Sequence, residues 1–89
     1  MKYTKIYIGA NNETKELELN KIKEILHLTG QLDGYTLYHA QCYWKGSTEF
    51  CAVIEIYGSY NISLIDILKR QLKQESIMVV KDYKVVEFI

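Results

Sequence analysis

The 89-residue chain predicts an α+β fold of the ferredoxin-like type, with the element order β-α-β-β-α-β. Three observations carry that prediction. An alternating strand opens the chain, and a long pair of alternating apolar runs meets at Gly46-Ser47-Thr48 in the middle. Two stretches of helical periodicity lie before and after that pair, and the uninterrupted apolar run 77–80 follows the second. The expected architecture is a four-stranded antiparallel sheet with both helices on one face. The first and third strands are expected at its centre.

Taken in order, residues 2–9 read as the first strand, with Thr4, Ile6 and Ile8 on one side and Tyr3, Lys5 and Tyr7 on the other. Gly9-Ala10-Asn11-Asn12 supplies turn chemistry. Residues 13–19 form a charged connector whose Leu17 and Leu19 tuck inward. Asn20 is the expected N-cap of a helix over 21–29, and Gly30 its left-handed stop. Ile22, Ile25, Leu26 and Thr29 fall on one helical face. Residues 34–58 are the hairpin. Ser63 and Asp66 have capping-box spacing for a second helix over 64–75, with Leu64, Leu68 and Leu72 as its inner stripe. Lys69, Arg70 and Lys73 suit the negative end of its dipole. Residues 77–81 read as a buried strand, and 84–89 as its continuation or as a short extra strand.

Composition narrows the function classes. Hydrophobic residues make up 48% of the chain and proline is absent, so one globular domain is expected over 1–89. Eleven basic residues balance eleven acidic ones, and zero net charge argues against an electrostatic nucleic-acid binder. It also offers little protection from self-association, so a dimer or trimer is the expected state. No apolar leader or bilayer-length run is present, and the expected location is the cytoplasm. There Cys42 and Cys51 are expected as free thiols. Two such ligands make no zinc site, and no metal or cofactor is expected.

Register decides what the hairpin exposes, because a one-residue slip turns every side chain over. A two-residue turn at Gly46-Ser47 pairs Trp44 with Glu49 and Tyr38 with Glu55, which sets carboxylates among aromatics. A three-residue loop, Gly46-Ser47-Thr48, pairs Trp44 with Phe50, Cys42 with Ala52, Ala40 with Ile54 and Tyr38 with Ile56. That register satisfies burial and cross-strand charge together and is the expected one. It places Tyr3, Tyr7, Leu37, Tyr43, Cys51, Val53 and Tyr57 on the helix-free face, rimmed by Lys5, His39, Lys45, Glu49 and Glu55. It also points Cys42 and Cys51 to opposite faces.

The candidate binding residues are therefore Tyr7, Tyr43, Trp44, Lys45, Glu49 and Tyr57, with His39 and Glu55. His39 opposite Glu55 has the form of an oriented general base. A surface ion pair explains both residues equally well, and no nucleophile completes the set. The aromatics resemble base-stacking platforms, but the aromatic-glycine signatures of such domains are absent from 2–9 and 49–58. Gln74-Glu75-Ser76 closes the second helix, with its Gln and Glu available to an intersubunit groove.

Two resemblances add to this. Tyr43-Trp44-Lys45-Gly46 with Glu49, followed by Val53-Ile54-Glu55-Ile56, is similar to the central hairpin of CutA-type proteins of the PII-like superfamily. That likeness implies a ferredoxin-like trimer with ligand or metal sites between subunits, and it carries no metal ligand onto this chain. Ile6-Tyr7-Ile8-Gly9 with Asn12 and Thr14, Gly34-Tyr35-Thr36-Leu37-Tyr38, Val53-Ile54-Glu55-Ile56 and Leu72-Lys73-Gln74 with Glu75-Ser76-Ile77 resemble small uncharacterised proteins of bacteriophages and prophages. The second likeness covers more of the chain and implies a phage accessory role. The expectation is a non-enzymatic, oligomeric binding protein in counter-defence, sequestering a nucleotide-like ligand or blocking a host protein. The alternatives are a PII- or CutA-like ligand-responsive trimer and a small enzyme using His39 and Glu55.

Overall fold

The computed structural model describes residues 2–11, 13–82 and 85–89, excluding the side chain of Val85. The elements are β1 (Tyr3–Ile8), α1 (Leu19–Thr29), β2 (Tyr35–Trp44), β3 (Ser47–Tyr57), α2 (Leu64–Gln71), β4 (Met78–Lys81) and β5 (Val85–Phe88). They build one antiparallel sheet in the order β2-β3-β1-β4-β5. This is the ferredoxin-like α+β arrangement with a fifth strand added outside β4. The expected turn residue Asn12 and the expected start of the last strand at Lys84 lie outside the described residues.

Period-2 and period-3.6 patterns meet in one core. Ile6 and Ile8 of β1, Ala52, Ile54 and Ile56 of β3, and Val79 of β4 face Ile22, Ile25 and Leu26 of α1 and Leu64, Ile65 and Leu68 of α2. Leu17 and Leu19 of the connector pack against its margin, as their spacing predicts. Side chains this fully removed from water contribute about 1.5–3 kcal/mol each. No helix among the described residues is long and apolar enough to cross a membrane.

Both helices depart from the expected ends. Helix α1 starts two residues earlier, at Leu19 behind Glu18, and no side chain caps it. Glu18 accepts a hydrogen bond from Asn11 Nδ2 at 2.6 Å, while Asn11 Oδ1 takes up the Glu13 and Thr14 amides. Gly30 is right-handed (φ −74°), so the left-handed stop does not form. Its role is space, since a Cβ there would stand 2.6 Å from the Leu26 carbonyl and 2.9 Å from Leu32. Ser63 precedes α2 without a capping bond from its side chain. Asn61 works instead, accepting from the Ser63 amide and donating to the Thr29 carbonyl, which ties the two helices together.

Helix α2 ends at Gln71 rather than at residue 75, and Lys73 is left-handed (φ 54°). Leu72 is buried (2% exposed), so the inner stripe continues past the end of the helix. Residues 72–77 thus run as irregular chain into β4, and this segment becomes a wall of the cleft described below.

The largest correction concerns the hairpin. Its turn is Lys45-Gly46, both left-handed (φ 47° and 81°), with Trp44 paired to Ser47 and Cys42 to Glu49. Two positive φ values are the type I′ pattern, whose twist suits a two-residue hairpin. The expected pairings of Trp44 with Phe50 and His39 with Glu55 do not occur; His39 pairs with Ala52 and Glu55 with Thr36. Burial failed as a guide here because the hairpin tip overhangs the helices, and Ser47, Thr48, Glu49 and Phe50 are all exposed. Leu37, His39 and Tyr43 therefore lie on the helix side of β2, while Tyr38, Ala40, Cys42 and Trp44 join Tyr3, Tyr7, Cys51, Val53 and Tyr57 on the helix-free face. Cys42 and Cys51 share that face diagonally, with Cα atoms 6.1 Å apart, and are joined in a disulfide rather than left as free thiols.

The turn geometry makes a direct prediction. Gly46→Ala is expected to lower stability by about 1–2 kcal/mol, because a Cβ in left-handed backbone meets the following carbonyl. A fall in the urea midpoint at unchanged slope checks it.

Candidate functional site

A cleft of about 380 Å³ opens at the hairpin end of the helix-free face. That volume lies within the range of small-molecule sites. Three segments wall it. The hairpin contributes Cys42, Tyr43, Trp44, Glu49 and Cys51; β1 and the residue that follows it contribute Tyr7 and Gly9; and the chain around β4 and β5 contributes Gln74, Glu75, Ser76, Met78 and Phe88.

Gly9 is what keeps the cleft open. It shares the face of Lys5 and Tyr7, and a Cβ placed on it would lie 3.5 Å from Gln74 Oε1 and 3.9 Å from Glu49 Oε1. Two polar side chains from opposite walls converge on the point where any other residue would project. Those are ordinary van der Waals distances, so a methyl group would fit there but a longer side chain would fill the space. This is a different use of glycine from Gly30, where the neighbouring carbonyl leaves no room at all.

The wall opposite the hairpin is fastened through Gln74. Its Oε1 accepts from the Gly9 amide at 3.1 Å. Its Nε2 shares two hydrogens among the carbonyls of Gly9 (3.2 Å), Ala10 (3.0 Å) and Leu72 (3.1 Å). Glu75, the next residue, lines the cleft beside it.

The aromatic side is built by strand pairing. Trp44 of β2 and Phe88 of β5, from opposite ends of the sheet, approach with ring centroids 6.1 Å apart and planes tilted by 35°. That lies within the separation at which aromatic pairs attract. The Lys45 ammonium sits 5.8 Å from the Trp44 ring centroid, and Lys45 does not line the cleft. Tyr7 carries the Lys5 ammonium 5.6 Å from its ring centroid. A hydrogen bond to the Tyr7 side chain is the main cause that holds Lys5 above the ordinary lysine range, outweighing the small cost of desolvation.

Of the eight residues expected at a site, the cleft brings together Tyr7, Tyr43, Trp44 and Glu49. The others are elsewhere. Tyr57 packs on Tyr3, with centroids 5.7 Å apart, at the far end of β3. Glu55 accepts a hydrogen bond from the Tyr3 hydroxyl on the helix-free face. His39 lies on the other side of the sheet, edge-on to Phe50 at 6.1 Å. The paired base of His39 and Glu55 therefore does not exist, because the observed register puts the two side chains on opposite faces. Met78 and Phe88 are members that pattern reading did not find. Met78 is placed by its pairing with Tyr7 of β1, and Phe88 by the pairing of β5 with β4, for which the chain offers no glycine turn. Among the described residues no group of three or more His, Cys, Asp or Glu side chains is placed to hold a metal ion.

No protein-family model and no curated protein matches the chain. A solved structure does, at a TM-score of 0.61 over 99% of this chain and 88% of the other, with 16% sequence identity. It is a phage SAM lyase in complex with S-methyl-5'-thioadenosine. The two chains share a fold. That neighbour is a phage protein, in line with the phage likeness of the sequence, whereas the CutA-type likeness does not reappear. The match overturns the expectation of a non-enzymatic binding protein, since nearly the whole chain has the fold of an enzyme.

Proposed function

We propose that this protein is a lyase acting on S-adenosylmethionine, with S-methyl-5'-thioadenosine as a product. The observation that carries the proposal is the near-complete fold match to a phage SAM lyase holding that thioether. The chemistry of the cleft supports it. S-methyl-5'-thioadenosine retains the adenosine, the sulfur and the methyl group, so the bond that breaks joins sulfur to the amino-acid side chain. The bonding pair leaves with sulfur, so the sulfonium cation becomes a neutral thioether. The substrate's own α-carboxylate oxygen bonds to the carbon that sulfur leaves, closing a lactone with no water or external base consumed.

Such a reaction destroys charge at sulfur, and an apolar surrounding favours that change over the fully hydrated cation. Trp44, Tyr7, Met78 and Phe88 offer such a surrounding, and aromatic faces also attract the sulfonium on arrival. Glu49 and Glu75 line the same cleft and supply negative charge there. In this reading they hold the ammonium of the amino-acid portion and orient that portion against the sulfur.

Purified protein incubated with S-adenosylmethionine is expected to release S-methyl-5'-thioadenosine, read by liquid chromatography and mass spectrometry. Glu49→Gln and Glu75→Gln should each slow release by about a hundredfold, the usual loss when one preorganised electrostatic group is removed. Both carboxylates are exposed, so neither change should unfold the protein. Wild-type protein that consumes no substrate contradicts the proposal.

We also infer self-association through the helix-free face, where Tyr38, Trp44, Tyr57, Val86 and Phe88 are exposed. Sedimentation velocity at high micromolar concentration should find a species larger than the 10.4 kDa monomer. A monomer alone contradicts this part.

A further inference from the structure

We propose that Gln74 is a positioning residue, whose carboxamide holds Glu75 at the cleft by fastening the chain after α2 to the end of β1. The inference rests on the lyase reading for its substrate and on the geometry around Gly9 for its residue. After Gln71 the helix is over, and Lys73 turns the chain left-handed. The Lys73 and Gln74 amides still close on the Arg70 and Lys69 carbonyls of α2. Among the described residues no backbone ladder holds 75–76, the stretch that presents Glu75 and Ser76 to the cleft.

The Gln74 side chain replaces that missing ladder. It accepts from the Gly9 amide and donates back to the Gly9 carbonyl, the pair of bonds that a neighbouring strand residue would exchange. It reaches Ala10 and its own segment at Leu72 as well. Only an amide has an acceptor and two donors on one terminus. Alanine keeps neither function. A glutamate carboxylate keeps the acceptor for the Gly9 amide but turns its second oxygen toward carbonyls, where it is repelled until protonated. A protonated glutamate donates once and restores part of the arrangement.

The inference is tested with wild type, Gln74→Ala and Gln74→Glu, measuring kcat and KM for S-methyl-5'-thioadenosine release across pH 5.5–8.5 together with the melting temperature. Gln74→Ala is expected to lose about tenfold to a hundredfold in kcat, the scale of a misplaced catalytic-site group, at every pH. Gln74→Glu should match that loss at pH 8.5 and recover several-fold relative to wild type as the pH falls. That recovery in kcat is a signature that a merely structural side chain would not give. An active wild type with Gln74→Ala within twofold of it overturns the inference and leaves the lyase reading standing. A Gln74→Glu variant whose kcat relative to wild type does not rise as the pH falls also overturns it, and this comparison remains decisive should the alanine variant not fold. A wild type that releases no product overturns both.

Discussion

The two-residue turn at Lys45-Gly46 is the constraint on which the rest of the molecule depends. Two successive left-handed residues fix the pairing of β2 with β3. Because side chains alternate along a strand, that pairing decides which of the hairpin residues face the helices. It puts Leu37 over the core beside Ile54. It also sends Trp44, Cys42, Glu49 and Cys51 to the face that carries Tyr7 and Gly9. A slip of one residue would remove Trp44 from that face and leave the cleft without its largest wall.

What was legible in the sequence followed from periodicity wherever a helix covers the sheet. Ile6, Ile8, Ile54 and Ile56 alternate against the stripes of Ile22, Leu26, Leu64 and Leu68, and these residues form the core that the pattern predicts. Legibility ended where burial no longer discriminates. At the hairpin tip both faces meet water, so apolar alternation says nothing about register, and turn chemistry had to decide. At the end of α2, Leu72 continues the apolar stripe after the backbone has left the helix. At Asp82 a left-handed aspartate (φ 50°) follows β4, at a residue that marks a turn far less plainly than glycine does.

The candidate site was half visible for the same reasons. Tyr7 on the first strand and Tyr43, Trp44 and Glu49 on the hairpin stood out as polar or aromatic residues, and the cleft gathers them. Tyr57, His39, Glu55 and Lys45 stood out equally, and geometry disperses them. Gly9 was read for its turn chemistry, but its contribution is an absent side chain between Glu49 and Gln74. Such a vacancy is defined by what surrounds it in space. Phe88 joins Trp44 because β5 returns along β4, which brings residues from the two edge strands of the sheet together, a meeting that no local pattern encodes.

The central claim is that the cleft around Gly9 receives the adenosine thioether. A crystal structure of the protein grown with S-methyl-5'-thioadenosine tests it most directly. The ligand is expected among Tyr7, Trp44, Glu49, Glu75 and Phe88, with its sulfur on the aromatic side. The sheet has a second, larger cavity of about 570 Å³ at its other end, lined by Lys2, Tyr60, Ile65 and Asp82 among others. Ligand found there, or a cleft left empty at saturating concentration, would contradict the account.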